Sequence, residues 1–548
     1  MTNDRTGNFV LNSFSGLSRR QAILAPTLMG LGMTAGLHGL SASAATDPLR
    51  GEGPPVPGGI LTRRLPGDPP NFDTLANTTG WVVFVGAPCY NALVRFDEFD
   101  PDKIIPDLAE SYEVSADGKA YTFRLRKGVK FHDGMPFTSA DVKFTFDVIR
   151  NPPTGYVSVR ANLLDAVDSI VIIDPYTVRF NLKRKSPSLL VNLACAWMVV
   201  LPKHILEKGP MKDVMIGTGP FKFKEYKRGV SLDLIRNTEY HLPSRPYLDG
   251  IKFYVIPDEN TAYAYFRTGQ LDEYVPGPGV VLARAKETAS RAYMQKIFST
   301  GALGLYFNMQ EKPFDDIRVR QAIALAINRQ DALNTVYSGL GALAGYSMPG
   351  KWGLPAAELK AIPGYGDYKD SNIVQAKALL AAAGYPNGFK ETMLARRIAA
   401  HEAHAIFIKD QLTKIGIDIT LDLQETAAYY QKESKRQWKL IAGALDYLTN
   451  DPDAMYSDTV ACDGTTNRAK ICDARIDDLV LRQSQELDEK MRIALVNDLE
   501  KRVLSQYGIY MMYFKDRFRL YQNTVHGWGL HPNEDNAMRL QDCWKSKA

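Results

Sequence analysis

Two histidines and a glutamate stand close enough in the sequence to bind a metal ion, at His401, Glu402 and His404. A zinc-protease helix needs its histidines at positions i and i+4, so that both lie on one face. Here they are at i and i+3, and the five-residue motif is incomplete. The spacing therefore indicates the polar face of a helix and predicts no metal site.

A run of acidic residues is a second candidate, because carboxylates are the ligands that calcium prefers. The run consists of Asp446, Asp451, Asp453, Asp458 and Asp463, and it lacks the D-x-[DN]-x-[DN]-G spacing of a calcium loop. The sequence also has no G-x-x-x-x-G-K-[ST] phosphate loop and no G-x-S-x-G nucleophile elbow. We therefore predict no catalytic residue, no metal and no cofactor, and a protein that is not an enzyme.

The five cysteines are too few for a disulfide scaffold. Cys462 and Cys472 lie in one polar loop, where a disulfide is expected if the protein reaches an oxidising compartment. No histidine lies nearby, and the spacing is not that of a zinc site. Cys195, in an apolar segment, is expected to be a buried free thiol, whereas Cys89 and Cys543 stay undecided.

The N-terminal segment has the features of an export signal. The pair Arg19-Arg20 precedes a stretch without charged residues that lasts to Asp47, and Ala42-Ser43-Ala44 is a small-x-small cleavage pattern. We therefore predict a signal peptide at residues 1–44, with the paired arginines favouring the twin-arginine route over the Sec route. A membrane anchor is the alternative, which the many glycines disfavour. Because the first cysteine, Cys89, is far from the cleavage site, no lipid anchor is expected.

The overall composition is that of an ordinary globular protein. Of 548 residues, 45% are hydrophobic and 23% are charged. This length allows about three domains or two large lobes. The chain has 66 basic and 61 acidic residues, a net charge of +5. No basic run stands out, so we expect no nucleic-acid partner.

Hydrophobic periodicity predicts that the first part of the chain is rich in strands. Apolar and polar residues alternate over 121–125, 178–182, 230–234 and 251–255. Such a period of two is typical of half-buried antiparallel strands. The residues from Thr138 to Asp141 predict a capping box at the start of a helix.

The later part of the chain predicts helices that alternate with strands. Ile408, Leu412 and Ile415 mark one face of a helix. Gly416 then ends the helix, and strict alternation follows over 417–423. Helix, glycine and strand in this order indicate an α/β unit. Two lobes of different make-up are therefore expected.

One long segment and six short ones carry a family resemblance. The long segment is 115–142, which reads SADGKAYTFRLRKGVKFHDG and then, after one residue, PFTSADV. The short segments are 108–112, 217–221, 307–309, 313–322, 326–329 and 451–453. In this order they resemble the family-5 extracellular solute-binding proteins, the dipeptide and oligopeptide receptors of ABC importers. The resemblance covers nearly all of residues 60–530.

The resemblance implies an α/β fold of the two-lobed periplasmic-binding-protein type, class C, with mixed sheets, a hinge and a ligand cleft between the lobes. Lobe I would comprise residues 45–305 with a C-terminal return at 515–548, and lobe II residues 306–514. The chain would cross between the lobes near residues 300–307 and 508–521.

The function that the resemblance implies is that of a soluble periplasmic receptor. The receptor would capture a small solute, in the first place a peptide, by hinge closure and deliver it to the permease subunits of an ABC transporter in the inner membrane. We expect a monomer. An exported enzyme or a signalling receptor on the same scaffold remains an alternative, as do a nickel complex, an opine or a sugar as the solute.

The resemblance also indicates where the ligand would lie. In the peptide receptors an aspartate shortly before a proline-containing turn pairs with the α-amino group of the peptide, and Asp446 falls in the matching place. Those receptors usually carry a tryptophan a few residues earlier, where this chain has Ala442-Gly443, so solutes other than peptides stay open. The full set of predicted ligand-binding residues is Asp446, Tyr447, Trp81, Tyr306, Phe307 and Asn308.

Overall fold

The structure is a computed structural model that describes residues 48–51, 53–464 and 466–547. The predicted signal peptide at residues 1–44 lies outside the described residues. Among the helices within those ranges, none combines the length and the apolar character that a membrane crossing requires.

Most strands of the first part of the chain form three sheets. The strands are β1 (Ile60–Leu65), β2 (Val94–Phe96), β3 (Ile104–Pro106), β4 (Ala109–Val114), β5 (Ala120–Leu125), β6 (Val167–Asp174), β7 (Thr177–Leu182), β8 (Phe221–Lys227), β9 (Ser231–Arg236), β10 (Gly250–Val255) and β11 (Glu273–Tyr274). The helices are α1 (Gly80–Gly86), α2 (Ser139–Arg150), α3 (Leu189–Ala194), α4 (Lys203–Leu206), α5 (Glu259–Arg267) and α6 (Val281–Thr288). The sheet orders are β1-β10-β9-β8, β4-β5-β7-β6 and β2-β3.

The predicted alternation builds these sheets. In β5, Tyr121, Phe123 and Leu125 are buried and the residues between them are not. The strands predicted at 178–182 and 251–255 are likewise confirmed as β7 and β10. β9 begins one residue later than predicted, because Val230 lies in the preceding turn, where its backbone N–H donates to the carbonyl of Lys227. The capping box of α2 is present with both of its hydrogen bonds.

The second part of the chain is built from one large sheet and the helices around it. Its strands are β12 (Ala292–Phe307), β13 (Gly341–Ala342), β14 (Lys390–Arg396), β15 (Asp418–Gln424), β16 (Leu440–Asp446) and β17 (Ile509–Gln522). Its helices are α7 (Ile317–Ala326), α8 (Arg329–Tyr337), α9 (Ala356–Lys360), α10 (Ser371–Ala382), α11 (Ala399–Thr413), α12 (Thr426–Ser434), α13 (Pro452–Thr459), α14 (Ala474–Gln483) and α15 (Glu489–Gln506). The sheet order is β11-β17-β12-β16-β14-β15, with β13 on β17. The predicted helix, glycine and strand are confirmed as α11, Gly416 and β15.

Two large hydrophobic cores divide the molecule into two lobes. One core, in lobe I, is built from residues between 61 and 253 together with C-terminal residues from 521 to 543. The other, in lobe II, is built from residues between 302 and 514. A short hairpin of β18 (Val525–His526) and β19 (Trp544–Lys545) lies in the C-terminal return.

The long strands β12 and β17 connect the two lobes. They pair over residues 292–298 and 516–522, and again over residues 302–306 and 509–514. The register is interrupted between Phe298 and Ala302. Both crossings of the chain therefore pass through one irregular ladder of hydrogen bonds.

The cysteines fall into two groups. A disulfide joins Cys462 and Cys472 in the loop after α13. Cys89, Cys195 and Cys543 are buried free thiols. Burial raises the pKa of the Cys195 thiol to about 11, so this thiol is uncharged and unreactive at neutral pH.

Candidate functional site

A cavity of about 310 Å³ lies where lobe II faces lobe I. Lobe II lines most of it, through β12, β14, α12, β16 and α13, and lobe I contributes Asn162 and Leu163. A second cavity of about 420 Å³ adjoins it. Four residues line both cavities, namely Asn162, Leu163, Ala454 and Asp458. Both volumes fall within the range of small-molecule pockets, roughly 300–1,000 Å³.

Asp446, the last residue of β16, presents a carboxylate to this cavity with 52% of its side chain exposed. Lys515 Nζ lies 3.6 Å from its Oδ1 atom. Partial burial raises the pKa of Asp446, but the charges of Lys515 and Arg517 outweigh that effect and hold the pKa below its usual value. The carboxylate is therefore ionised at neutral pH and accessible to a cationic group.

A glycine in the opposite strand makes room for this ion pair. Gly301 of β12 lies in register with Asp446. A Cβ atom at position 301 would lie 2.2 Å from Asp446 Oδ1 and 2.7 Å from Lys515 Cε. A side chain at position 301 would therefore force one or both of these side chains to shift.

A row of cations follows one face of β17, because alternate residues of a strand point to the same side. The row consists of Lys515, Arg517 and Arg519. Arg517 Nη1 pairs with Glu534 at 2.6 Å, and Arg519 Nε pairs with Glu273 at 3.4 Å. The row runs from the cleft into lobe I, so the cleft carboxylate at its end lies in a positive field.

Two tyrosines meet at the floor of the cavity over Gly443. A Cβ atom at position 443 would lie 3.2 Å from both Tyr306 Cε2 and Tyr429 Oη. Tyr306 is 2% exposed, and its hydroxyl lies beside the Arg468 guanidinium, which can only donate to it, so that among the residues that the structure describes the hydroxyl proton has no acceptor. Burial raises the pKa of Tyr306 to about 12, against the opposing charge of Arg468. The phenol therefore keeps its proton and is available as a donor.

Arg468 lies beside this tyrosine in the cavity wall. Its Cζ atom is 4.7 Å from the centroid of the Tyr306 ring, a cation–π contact. Its Nε atom forms an ion pair with Glu433, and Nη1 donates to the carbonyl of Ala444 at 3.1 Å. The guanidinium is thus held in place by backbone, carboxylate and ring together.

Arg396, at the end of β14, is held by neutral groups. Nη1 donates to Tyr430 Oη at 3.2 Å, and Nη2 donates to His401 Nε2 at 2.9 Å. Burial, and then the charge of Arg396, lowers the pKa of His401 to about 3. His401 is therefore a neutral acceptor. Within the described ranges Arg396 forms no ion pair, whereas its neighbour Arg397 pairs with Glu425 at 3.5 Å.

Hydrogen bonds join the two lobes beside the cavity. Ser188 Oγ of lobe I donates to Asp453 Oδ2 of lobe II at 2.6 Å. Asn536 of the C-terminal return donates through Nδ2 to the carbonyl of Leu448 at 3.0 Å. Separation of the lobes must break these contacts.

The structure brings three of the six predicted ligand residues to the cavity, namely Asp446, Tyr447 and Tyr306. Phe307 follows Tyr306 in β12 but packs in the core of lobe II, its ring centroid 5.4 Å from that of Phe314. Neighbouring residues of a strand point to opposite faces, so only one of this pair can reach the cavity.

The other two predicted ligand residues lie outside the cavity lining. Asn308 follows the end of β12, is 4% exposed and donates through Nδ2 to the carbonyl of Trp438 at 3.4 Å. Trp81, in α1, is 36% exposed and covers Gly67, where a Cβ atom would lie 2.7 Å from its ring.

Among the lining residues that sequence reasoning missed are two arginines and two tyrosines, Arg396, Arg468, Tyr429 and Tyr430. They come from β14, α12 and the disulfide loop, and none of them belongs to a motif. Arg396 reaches the cavity through the pairing of β14 with β16, and Arg468 is held to β16 by a hydrogen bond to the carbonyl of Ala444.

Comparison with known proteins gives a consistent result. The family described as bacterial extracellular solute-binding proteins, family 5 Middle, matches residues 103–467. The oligopeptide-binding protein AppA of Bacillus subtilis (strain 168) is 28% identical over 537 residues, which cover 92% of this chain and 95% of AppA.

Two solved structures share the fold. AgaA from A.tumefacien R10, in complex with agropinic acid, has a TM-score of 0.76 at 28% identity and covers 89% of this chain and 99% of its own. The periplasmic binding protein DppA from Helicobacter pylori, in complex with the peptide STSA, has a TM-score of 0.75 at 26% identity, with 90% and 99% covered. The chain therefore belongs to family 5 of the bacterial extracellular solute-binding proteins, the solute receptors of ABC importers.

Proposed function

We propose that this protein is a periplasmic receptor that captures a small solute, a peptide being the first candidate, and delivers it to the permease subunits of an ABC importer. The observation that carries the proposal is the cavity between the lobes with the half-exposed, ionised carboxylate of Asp446 in its wall. Membership of the family supports it. Binding and release of a solute require no covalent step.

Capture depends on closure of the two lobes around the solute. We place the moving units at residues 45–305 with 515–548, and at 306–514, and the hinge at residues 299–301, where the β12–β17 ladder is interrupted. A solute that contacts both lobes only in the closed state shifts the equilibrium toward closure. Interlobe bonds such as that of Ser188 to Asp453 then add to the stability of the closed state.

The solute contacts that we propose begin with Asp446, which is open to an ammonium group. Tyr447 and Tyr306 line the same cavity, whereas Trp81, Phe307 and Asn308 are not carried into the proposed site. The peptide in the DppA structure supports a peptide solute. The agropinic acid in the AgaA structure supports a small non-peptide acid as the second candidate.

Location and partners complete the proposal. We expect the protein to be exported by the twin-arginine route. In the periplasm it is expected to be a monomer without a lipid anchor that docks to permease subunits. The family's extracellular role supports the location.

Identification of the small molecule that co-purifies with the protein tests the proposed function. Denaturation followed by mass spectrometry is expected to release one intact small molecule in stoichiometric amount. Release of a converted product, together with repeated turnover of the parent compound by the native protein, would contradict a receptor and favour an enzyme.

A further inference from the structure

A third cavity, which we call the lobe II cavity, is lined only by residues between 327 and 372. Its volume is about 540 Å³, larger than that of the cavity between the lobes. The start of α8, the segment 343–354, α9 and the loop before α10 form its walls. Among the described residues, none lines both this cavity and the one between the lobes. The lobe II cavity is therefore a separate place, which the proposed function does not use.

Two buried polar side chains meet in the wall of the lobe II cavity. Arg329 and Tyr365 are each 3% exposed, and the Arg329 Cζ atom lies 4.7 Å from the centroid of the Tyr365 ring. The Tyr365 hydroxyl has no hydrogen-bond partner among the residues that the structure describes. Because a buried hydroxyl without a partner is unfavourable, this part of the cavity favours a ligand atom that accepts a hydrogen bond.

Arg329 adds a positive charge without a carboxylate to balance it. Its guanidinium donates to the carbonyls of Met512 at 2.9 Å, of Tyr365 at 3.4 Å and of Ala344. A guanidinium has five N–H groups, so donor capacity is left over. Within the described ranges Arg329 forms no ion pair, and burial lowers its pKa. Arginine nevertheless stays protonated at neutral pH, so an anion is the ligand group that this end of the cavity favours.

The carboxylates at the rim of the cavity have partners of their own. Asp331 accepts a hydrogen bond from Asn328 Nδ2 at 2.7 Å, and Asp367 pairs with Lys360 at 2.8 Å. Both aspartates are exposed, so that solvent screens their charges. They therefore do not neutralise the buried guanidinium of Arg329.

A buried carboxylate behind the wall is also occupied. Glu500 is 0% exposed and is not among the lining residues. It accepts hydrogen bonds from the backbone N–H groups of Ser347 at 2.8 Å and Leu354 at 2.9 Å. Burial raises the pKa of Glu500 to about 7. This carboxyl group fixes the cavity wall and leaves the hydroxyl of Tyr365 without an acceptor.

We propose that the lobe II cavity binds a small carboxylic acid with an apolar body, whose carboxylate group is held by Tyr365 and Arg329. An ionised carboxylate only accepts hydrogen bonds, as the tyrosine hydroxyl and the guanidinium require. Four apolar side chains in the lining offer contact to the rest of the ligand, namely Ile327, Leu343, Leu354 and Leu359. The inference does not rest on the receptor function, because no residue of lobe I lines this cavity in the described part of the chain.

Calorimetry on the purified mature protein tests the proposal, with 4-methylpentanoate as the probe. We expect one molecule of this acid to bind per protein. Its amide, 4-methylpentanamide, has the same shape without the charge and is expected to bind at least about tenfold more weakly, the range of hydrogen bonds to a charged group. Sulfate has the charge without the apolar body and is expected to bind more weakly than the acid.

Two tyrosine variants locate the acid. Tyr365→Phe removes only the hydroxyl and should weaken binding of the acid about fivefold. Its unfolding midpoint without the acid should not decrease, because the lost hydroxyl is unpaired in the described structure. Tyr306→Phe is the matched control, since Tyr306 is also buried but lines the cavity between the lobes. This control should bind the acid like the native protein.

A second pair of variants blocks the cavity from the surface. Ala356 and Ala357 are neighbouring exposed residues of α9, and only Ala356 is among the lining residues. A tryptophan side chain at position 356 should fill part of the cavity, so we expect Ala356→Trp to prevent binding of the acid. Ala357→Trp should leave binding unchanged. Unfolding midpoints report whether each variant folds.

Several results would overturn the proposal. Equal affinities for the acid and its amide would rule out recognition of the carboxylate group. Binding that Tyr306→Phe weakens, but Tyr365→Phe and Ala356→Trp do not, would place the acid between the lobes. Tighter binding of sulfate than of the acid would indicate an inorganic oxyanion, and no binding at millimolar acid would mean that the cavity has no such ligand. Each of these results leaves the receptor function to its own test, the release of a solute on denaturation.

Discussion

Lys515 Nζ and Asp446 Oδ1 lie 3.6 Å apart at the junction of the two lobes. Lys515 belongs to β17, which crosses between the lobes, and Asp446 ends the strand that lines the cavity. In the closure mechanism that we propose, a solute group that binds Asp446 therefore acts directly on a strand that moves. This ion pair connects recognition with the hinge in the mechanism that we propose.

Substitution of Gly301 by alanine tests that connection. The new Cβ atom would lie 2.2 Å from Asp446 Oδ1, so one or both side chains of the ion pair must shift. We expect Gly301→Ala to weaken solute binding by about tenfold, the equivalent of about 1.4 kcal/mol, as measured by calorimetry. Gly279→Ala is the control, because no atom lies within 4 Å of a Cβ at that position. Equal affinities of the two variants would argue against a role of the pair.

Asp446 itself should act on the amine of a solute. Asp446→Asn keeps the shape of the side chain and removes its charge, so Ala-Gln should bind about tenfold more weakly. N-acetyl-Ala-Gln, which has no amine, should bind the variant and the native protein equally. Asp418→Asn serves as control, since Asp418 lies in an exposed pair with Lys390 in the same sheet. Unchanged affinity for Ala-Gln would remove Asp446 from the site.

The interlobe bond of Ser188 is expected to affect the lifetime of the closed state. Its Oγ atom donates to Asp453 Oδ2 at 2.6 Å, and this contact exists only while the lobes are together. Ser188→Ala should raise the rate of solute release by several-fold with little effect on the rate of association. Stopped-flow fluorescence measures both rates.

A matched serine provides the control for that experiment. Ser457 Oγ donates to the carbonyl of Asp453 at 2.8 Å within lobe II. Ser457→Ala should leave both rates unchanged. A release rate that is the same in both variants would mean that the interlobe bond does not hold the closed state.

Buried His404 predicts a pH dependence of stability. It is 0% exposed, and burial lowers its pKa to about 4. In the unfolded chain His404 has the ordinary pKa of 6.5, so it binds a proton below that pH, whereas in the folded protein it stays neutral down to about pH 4. The free energy of unfolding therefore decreases as the pH falls from 6.5 toward 4. Between pH 7.5 and pH 5 His404 should account for about 2 kcal/mol of lost unfolding free energy.

Urea unfolding of the native protein and of His404→Gln at these two pH values measures that share. The variant loses the contact to Tyr513 Oη, 3.2 Å away, and is expected to be less stable at pH 7.5. Its stability should nevertheless fall less on acidification. An equal loss in both proteins would show that His404 is not buried in its neutral form.

The sequence predicted the architecture better than the site. Alternation over residues 121–125 and the helix, glycine and strand around Gly416 are local patterns, and both elements form as expected. The motif segments identify the family because their residues build the turns, helix starts and strands of the fold. Tyr306 and Phe307 show the limit, since the same prediction covered both and strand geometry admits only one to the cavity.

The arginines of the cavity lay beyond sequence reasoning for another physical reason. Arg396 and Arg468 are 72 positions apart. Arg396 ends β14, which pairs with β16 in parallel, and Arg468 lies in the disulfide loop, where its Nη1 atom donates to the carbonyl of Ala444 in β16. Among the described residues Arg396 has no carboxylate within ion-pair distance, whereas the neighbouring Arg397 pairs with Glu425, and this difference is a property of three-dimensional packing. No spacing rule could separate the two.

Small-angle X-ray scattering of the mature protein, with and without solute, tests the central claim most directly. If two lobes close on a solute, the radius of gyration of the native protein should decrease when a solute whose binding calorimetry has shown is added. The Gly301→Ala variant should need a higher solute concentration for the same decrease. A scattering profile that stays the same at saturation, together with repeated chemical turnover of the solute, would contradict a receptor that works by closure.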